Sequence, residues 1–533
     1  MSYVSLTFPL FTAASVLAYY LFPLKKLRWT VLLAASYVFY FFTGLGFGYL
    51  MLVTTLTTWL GALWMDRMGA AAEAEVEAHK SEWSREERKA VRNEAKKKKR
   101  RVLTAILVLN FGVLAFLKYY NLFAEHLCLW GFSAPTLRLL LPLGISFYTF
   151  QAMGYLIDVY RGKYPAERNP GKTALFVSFF PQIVQGPIGD YAQLSPQLFE
   201  ARPFDYDRAR RGLQLAAWGY FKKLVIADRA VIVIGAVTSA YADYDGSAIL
   251  MAAVLYALQI YADFSGGIDI SRGIAQILGI ELAENFRRPY FSRSISEYWR
   301  RWHISLGAWM RNYVFYSLTT SKAFLRMGRS IRSAKPESSP ARLHTAKVFP
   351  TALASLIVFL LVGIWHGANL KYVGFGLWNG GIIMLSVLLA PEYEKLRSAL
   401  RVRAESRLFI LYQMVRTFFI VLVGYYFDIA PSFGGAVDMM RRSVTDLHFK
   451  EGTEQILSCG VSPKQMGALA FGAAVMLAVS AAQERRPEES LRLRLEKRPA
   501  LSWLLLFLCI ACTMVLGVYG PGYDSGAFVY MQF

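Results

Sequence analysis

The chain alternates long apolar runs with short, strongly basic breaks along most of its length. The runs are about 17 to 22 residues long, the length a helix needs to cross the hydrocarbon of a bilayer. They fall near 4–22, 29–44, 47–65, 102–118, 139–157, 224–240, 247–262, 348–365, 372–390, 409–428, 464–482 and 501–519. The pattern predicts an all-α fold, a polytopic transmembrane helical bundle of about 11–12 spans forming one membrane domain over 1–533. Between 173 and 320 the rhythm changes. Apolar pieces too short to span are broken by Gly and Pro, as in Phe179-Phe180-Pro181-Gln182-Ile183-Val184-Gln185-Gly186-Pro187. Irregular backbone at membrane depth persists only where protein or a water-filled cavity satisfies it. This stretch is therefore expected to build re-entrant helices around a central funnel, with 173–390 as the functional core. Arg287 to Arg311 alternates Arg with Trp, Tyr and Phe, which predicts an amphipathic interfacial helix.

Charge fixes the orientation. Lys and Arg number 59 against 37 acidic residues, a net charge of +22. That excess would suit nucleic acid if it covered a soluble face. Instead it is concentrated between the apolar runs, in Lys25–Arg28, Arg67–Arg101, Arg161–Lys172, Lys322–Lys347, Lys395–Arg407 and Arg485–Arg498. Basic loops beside spans mark the cytoplasmic side of a plasma (inner) membrane protein, so no nucleic-acid partner is expected. An even number of runs separates successive basic loops wherever the pattern is regular, which places both termini outside. The first run has no basic residue ahead of it and reads as a retained span, not a signal peptide. The charged insert 66–101 reads as a helical cytoplasmic hairpin whose Lys96–Arg101 end seats on anionic membrane lipids, with docking of an acidic partner as the alternative. Four cysteines give no disulfide framework, and Cys509 and Cys512 lie inside an apolar run.

Two of the six histidines stand directly behind tryptophans: His303 in Tyr298-Trp299-Arg300-Arg301-Trp302-His303-Ile304-Ser305-Leu306, and His366 in Gly363-Ile364-Trp365-His366-Gly367-Ala368-Asn369. His366 ends an apolar run, and an ionisable group at membrane depth is a functional-site hypothesis by default. Imidazole titrates near neutrality and can carry protons, which suits acid–base work. The structural alternatives are an aromatic-belt residue for His303 and a helix-end residue satisfied by backbone for His366. His79, His126, His344 and His448 fall in polar segments and read as solvated. Asp263 and Asp269 would need partners if buried, and Arg272 or Arg287 could supply them. No P-loop, nucleophile elbow or zinc-binding histidine pair is present.

These residues resemble the membrane-bound O-acyltransferase family, in its bacterial polysaccharide-modifying branch. The matching pieces occur in family order: Leu141-Pro142-Leu143-Gly144-Ile145-Ser146-Phe147-Tyr148, Ser178-Phe179-Phe180-Pro181-Gln182 with Gly186-Pro187, Tyr261-Ala262-Asp263-Phe264-Ser265-Gly266, and the two Trp-His motifs. An aromatic tail, Phe528 to Phe533, is similar to that of the alginate-type members. The resemblance implies acyl transfer with His366 as general base and His303 either polarising the thioester or positioning the acceptor. Trp302 and Trp365 would exclude water, and Arg300, Arg301, Ser305, Asn312 and Asn369 would line the site. It implies no metal and no tightly bound cofactor. The implied donor is acyl-CoA, most simply acetyl-CoA, or an acyl-carrier thioester. The implied partner is an extracytoplasmic SGNH-type acetyltransferase or a small membrane protein that passes the acyl group to a glycan. D-alanyl transfer to teichoic acid is the neighbouring alternative; a glycan or lipid transporter is the non-enzymatic one. Two departures stand out: Asn312 replaces the family's more usual Asp, and Gly189-Asp190 replaces the usual Arg after Gly-Pro-Ile.

Overall fold

The computed structural model describes residues 2–520 apart from Leu6, 43–47, Gly131, Ala134, Arg138, Leu140 and 334–339; the aromatic tail lies outside the described residues. Among the described residues the fold is all-α, and the only extended pairing is an isolated antiparallel bridge between Phe286 and Trp302. The chain forms two compact units that interleave in sequence. One holds Met1–Ala216 and Ile270–Ala283, the other Ala217–Asp269 and Glu284–Phe533.

The first unit opens with α1 (Thr7–Leu21), α2 (Arg28–Phe41), α3 (Gly48–Ala78), α4 (Arg85–Leu129) and α5 (Ile145–Arg161). Shorter helices follow: α6 (Pro170–Ser178), α7 (Phe180–Ile183), α8 (Tyr191–Phe199) and α9 (Tyr206–Phe221), whose last turn belongs to the second unit. α4 starts in a capping box, in which Ser84 and Glu87 satisfy each other's backbone N–H groups. Its 45 residues make a rod of about 68 Å, more than twice the hydrocarbon thickness. The charged insert is therefore the polar continuation of two spanning helices. Arg92 on α4 holds Glu73 on α3 at 2.7 Å, and His79 stacks on Trp83 at the turn. The broken Phe179–Pro187 stretch is fully buried. Gln182 Nε2 there donates to Gln151 Oε1 at 2.5 Å and to the Pro187 carbonyl at 2.6 Å, so side-chain amides satisfy part of the interrupted backbone.

The second unit begins with a π-helical turn, Lys222–Ala227, then α10 (Asp228–Ser239) and α11 (Gly246–Ile277), whose end returns to the first unit. Next come α12 (Ile295–Arg301), α13 (Ile304–Trp309), a second π-helical turn Met310–Phe315, α14 (Tyr316–Thr319) and α15 (Lys322–Ser333). The long helices are α16 (Pro340–His366), α17 (Leu370–Leu388) with α18 (Ala390–Ala399), and α19 (Arg407–Ile429). After α20 (Phe433–Thr445) and α21 (Phe449–Ser458) come α22 (Pro463–Glu484), α23 (Leu491–Glu496) and α24 (Pro499–Leu516).

Seven described helices (α3, α4, α11, α16, α19, α22 and α24) are long and apolar enough to cross a membrane, and α17 with α18 makes a bent eighth. This is fewer than the 11–12 expected. α1, α2 and α5 have only 15, 14 and 17 residues. The expected run 224–240 is divided between the first π-helical turn and α10. The limits of α5 are set by its caps. α5 is bounded by Gly144 and Gly162, both left-handed (φ +70° and +74°), and a Cβ on Gly144 would strike the Ile183 carbonyl. Large apolar side chains such as Leu408, at 79% exposure, face outward from the long helices, as lipid contact requires.

The expected interfacial helix over Arg287–Arg311 does not form. Pro289 and two left-handed residues, Arg288 and His303, break it into a bridge, a 3₁₀ turn and two short helices.

Candidate active site

The position of His366 follows from glycines. α16 and α17 run back to back across the turn 367–369, and Gly363, Gly376 and Gly380 let their backbones approach. A Cβ on Gly376 would sit 2.6 Å from the Phe359 carbonyl oxygen, and one on Gly363 would overlap the Tyr372 carbonyl. Asn369 caps α17, its Oδ1 accepting from Lys371 N at 3.0 Å. The last turn of α16 thus places Trp365 and His366 against the start of α17. Both are buried, and the His366 ring lies 5.2 Å from Phe375 and 6.1 Å from Tyr372, stacked on the latter.

His303 is held by a different device. The segment Asn285–Arg287 runs antiparallel to Arg301–Ile304: Arg287 N donates to Arg301 O at 2.9 Å, and Ile304 N to Asn285 O at 3.0 Å. Between these bonds His303 takes a left-handed conformation (φ +45°), a region where His is several-fold enriched over most side chains. Asn285 is fully buried. Its Oδ1 accepts from Ser305 N at 2.9 Å and lies 3.3 Å from His303 Nδ1. Phe264 of α11 meets the imidazole edge-on at 4.8 Å. Trp302 is packed between Phe286 (4.9 Å) and Tyr298 (5.6 Å), and Tyr298 is tied to Tyr425 of α19 through their hydroxyls at 2.7 Å. Arg301 bonds both Glu297 and Glu484, and Arg288 shares Glu484, so this loop is clamped to the end of α22.

The two motifs converge. The Trp365 ring neighbours both histidines, 6.5 Å from His303 and 5.1 Å from His366. His303 lies in none of the long apolar helices. Its burial, and then the neighbouring His366, lower the imidazole's pKa, so it is held neutral. Trp302, His303, Ser305, Trp365 and His366 are buried together, whereas Arg300, Asn312 and Asn369 are exposed and Arg301 serves the clamp. The sequence reading gave no site role to Asn285, or to Phe264 within its motif. Asn285 lies 18 residues from His303, and nothing in a string of letters marks that pairing.

Asp263 and Asp269 are both paired, and their partners include lysines the sequence reading did not consider. Lys223 holds Asp263 at 2.6 Å and Asp228 at 2.8 Å; Lys222 holds Asp269 and the Ser265 hydroxyl, both at 2.7 Å. Both lysines come from the π-helical turn, whose irregular register turns consecutive residues inward. Arg287 instead pairs with Glu284. His448 is exposed, as expected, and also pairs with Asp245 at 2.7 Å, while His344 bonds the Val387 carbonyl.

Residues 168–329 match the model of the membrane-bound O-acyltransferase family, a region that includes His303. The chain is similar to a probable alginate O-acetylase, AlgI, of Azotobacter vinelandii: 33% identity over 413 residues, covering 76% of this chain and 70% of that protein. It is also 32% identical to a peptidoglycan O-acetyltransferase of Helicobacter pylori, over 53% of this chain and 54% of the relative. A teichoic acid D-alanyltransferase of Bacillus subtilis is 24% identical over 55% of this chain and 69% of its own length. With its multiple apolar helices and a buried pair of Trp-His motifs, the chain is a multi-pass membrane O-acyltransferase and belongs to the membrane-bound O-acyltransferase family.

Proposed function

We propose that this enzyme takes an acetyl group from a cytoplasmic thioester, acetyl-CoA or an acyl carrier, and passes it across the inner membrane toward hydroxyls of an extracytoplasmic glycan. The observation that carries the proposal is the convergence of two buried histidines on the Trp365 ring. In this reading the acceptor hydroxyl attacks the thioester carbonyl while His366 removes its proton. The C–S bond then breaks, and the thiolate leaves with a proton returned from the imidazolium. Trp302 and Trp365 keep water from competing for the acyl group. The exposed Arg300 suits the phosphates of CoA or of a phosphopantetheine arm. The glycan is reached directly or through an SGNH-type acetyltransferase or small membrane partner. Acetyl transfer is favoured over D-alanyl transfer because the alginate-type relative matches more of the chain at higher identity.

The test uses sealed inside-out membrane vesicles containing the enzyme, with the glycan or its acyl-accepting partner enclosed. Labelled acetyl-CoA added outside should place label on the enclosed acceptor. His366→Ala should abolish transfer at matched protein level, and His303→Ala should lower it by about 10²- to 10⁴-fold. Label that reaches the acceptor only when donor and acceptor share a compartment would refute transfer through the membrane. Normal transfer by His366→Ala would refute the site.

A further inference from the structure

We propose that Asn285 is a positioning residue that fixes His303 as its Nδ1–H tautomer, leaving the lone pair on Nε2, so that His303 serves the reaction as a hydrogen-bond acceptor for the attacking hydroxyl and not as a donor to the thioester oxygen. The inference rests on the acyl-transfer reading of the site and decides between the two roles open to His303.

The argument begins with the amide's orientation. A backbone N–H can only donate, and Ser305 N lies 2.9 Å from Asn285 Oδ1. Turning the amide over would set two donors against each other inside a fully buried site, so Oδ1 must face Ser305. His303 Nδ1 lies 3.3 Å from that same oxygen. Two acceptors cannot bond, so Nδ1 carries the proton. In neutral imidazole the other nitrogen is then an acceptor. The backbone bonds Ile304 N to Asn285 O and Arg287 N to Arg301 O keep the two segments in register, so the Asn285 side chain cannot slide away from the ring. Burial of His303 under Phe264 and Trp365 keeps the ring neutral, as the assignment requires. A neutral Nδ1–H imidazole cannot hydrogen-bond a carbonyl oxygen through Nε2. It can accept from a hydroxyl, aligning that oxygen before His366 removes the proton.

The experiment reads the ring directly. Full-length protein labelled with ¹⁵N-histidine is reconstituted in lipid nanodiscs, and the His303 signals are identified by their loss in His303→Gln. A protonated Nδ1 with an unprotonated Nε2 is expected. Asn285→Leu, which removes the acceptor, should shift the pattern toward the other tautomer and lower kcat by about 10- to 10²-fold with little change in KM for acetyl-CoA. Asn285→Asp, which restores an acceptor at the same place, should recover both the signal pattern and part of the activity. A wild-type His303 protonated on Nε2 overturns the proposal without any variant having to fold. So does an Asn285→Leu protein that loses activity with its tautomer unchanged, since that residue would then only hold the loop. A confirmed Nδ1–H tautomer together with full activity in His303→Gln would refute the acyl-transfer role of the site, and with it the acceptor role of His303, while Asn285 would still be what fixes the tautomer.

Discussion

The close approach of α16 and α17 makes a sharp prediction about activity from a residue that touches no substrate. Gly376 faces Phe359 two turns before His366, and an added Cβ would stand 2.6 Å from the Phe359 carbonyl oxygen and 3.0 Å from Leu360 Cα. Ordinary van der Waals contact begins near 3.4 Å, so Gly376→Ala must separate the helices there by about 0.8 Å. Both neighbours are backbone atoms, so no side chain can rotate away to absorb the clash. Overpacking of this kind costs about 1–3 kcal/mol, while alanine regains about 1 kcal/mol over glycine within a helix. The protein should therefore still fold. The displacement carries to the end of α16, and a shift near 1 Å at a reacting group costs about 10²-fold in rate. We expect Gly376→Ala to reduce acetyl transfer about 10- to 10²-fold at matched abundance. The control is Gly381→Ala on the same helix, where a Cβ would meet nothing within 4 Å, and it should behave as wild type. Abundance is followed by fluorescence-detected size exclusion, and transfer by label from acetyl-CoA in membranes. Equal activity in the two variants would refute the idea that this helix contact positions His366.

Two further predictions concern the ionic contacts of the second unit. Burial raises the Asp245 carboxyl, but hydrogen bonds from Ser247 and His448 outweigh it and hold the group at about 2. The bond to Asp245, and then its charge, raise the His448 imidazole. A depressed carboxyl contributes stability above its ordinary value of about 3.9 and loses it as pH falls; a raised imidazole contributes fully below about 6.5 and loses it as pH rises through its folded value. His448→Gln should therefore lower the melting temperature at about pH 5.5 and have no effect at about pH 9; equal losses at both would refute the pairing. Lys223→Met removes the ammonium shared by two buried carboxylates and should cost about 3–5 kcal/mol, read as loss of monodisperse protein. A wild-type melting curve for that variant would show that the pair contributes nothing.

What was legible in the sequence was whatever one stretch of chain carries by itself. The apolar runs announced a helical membrane protein, and the two Trp-His motifs singled out two histidines that the fold brings to one buried cluster. The broken pattern from 173 to 320 announced irregular backbone, found in the buried Phe179–Pro187 stretch and the two π-helical turns. What escaped depends on contacts between distant segments. Asn285 gains its meaning only when its strand-like segment lies beside Trp302, and Lys222 and Lys223 meet Asp269 and Asp263 only once π-helical geometry turns both inward. Among the described residues fewer helices reach spanning length than the apolar runs suggested, for a related reason. Hydropathy measures how apolar a run is, whereas left-handed glycines such as Gly144 and Gly162 decide where its helix stops.

The left-handed backbone at His303 places two separate filters on sequence drift at that position. Asn, Asp and Gly occupy such a conformation readily, so chains carrying them should accumulate in the membrane yet transfer far less. Val, Ile and Thr, whose branched side chains resist it, should fail earlier, at the level of abundance. Alanine falls between, and its phenotype mixes the two losses. A saturation library scored separately for protein level and for product would sort the substitutions into these classes. Histidine alone among the twenty would pass both filters in full, so a point mutation here loses transfer, abundance or part of both.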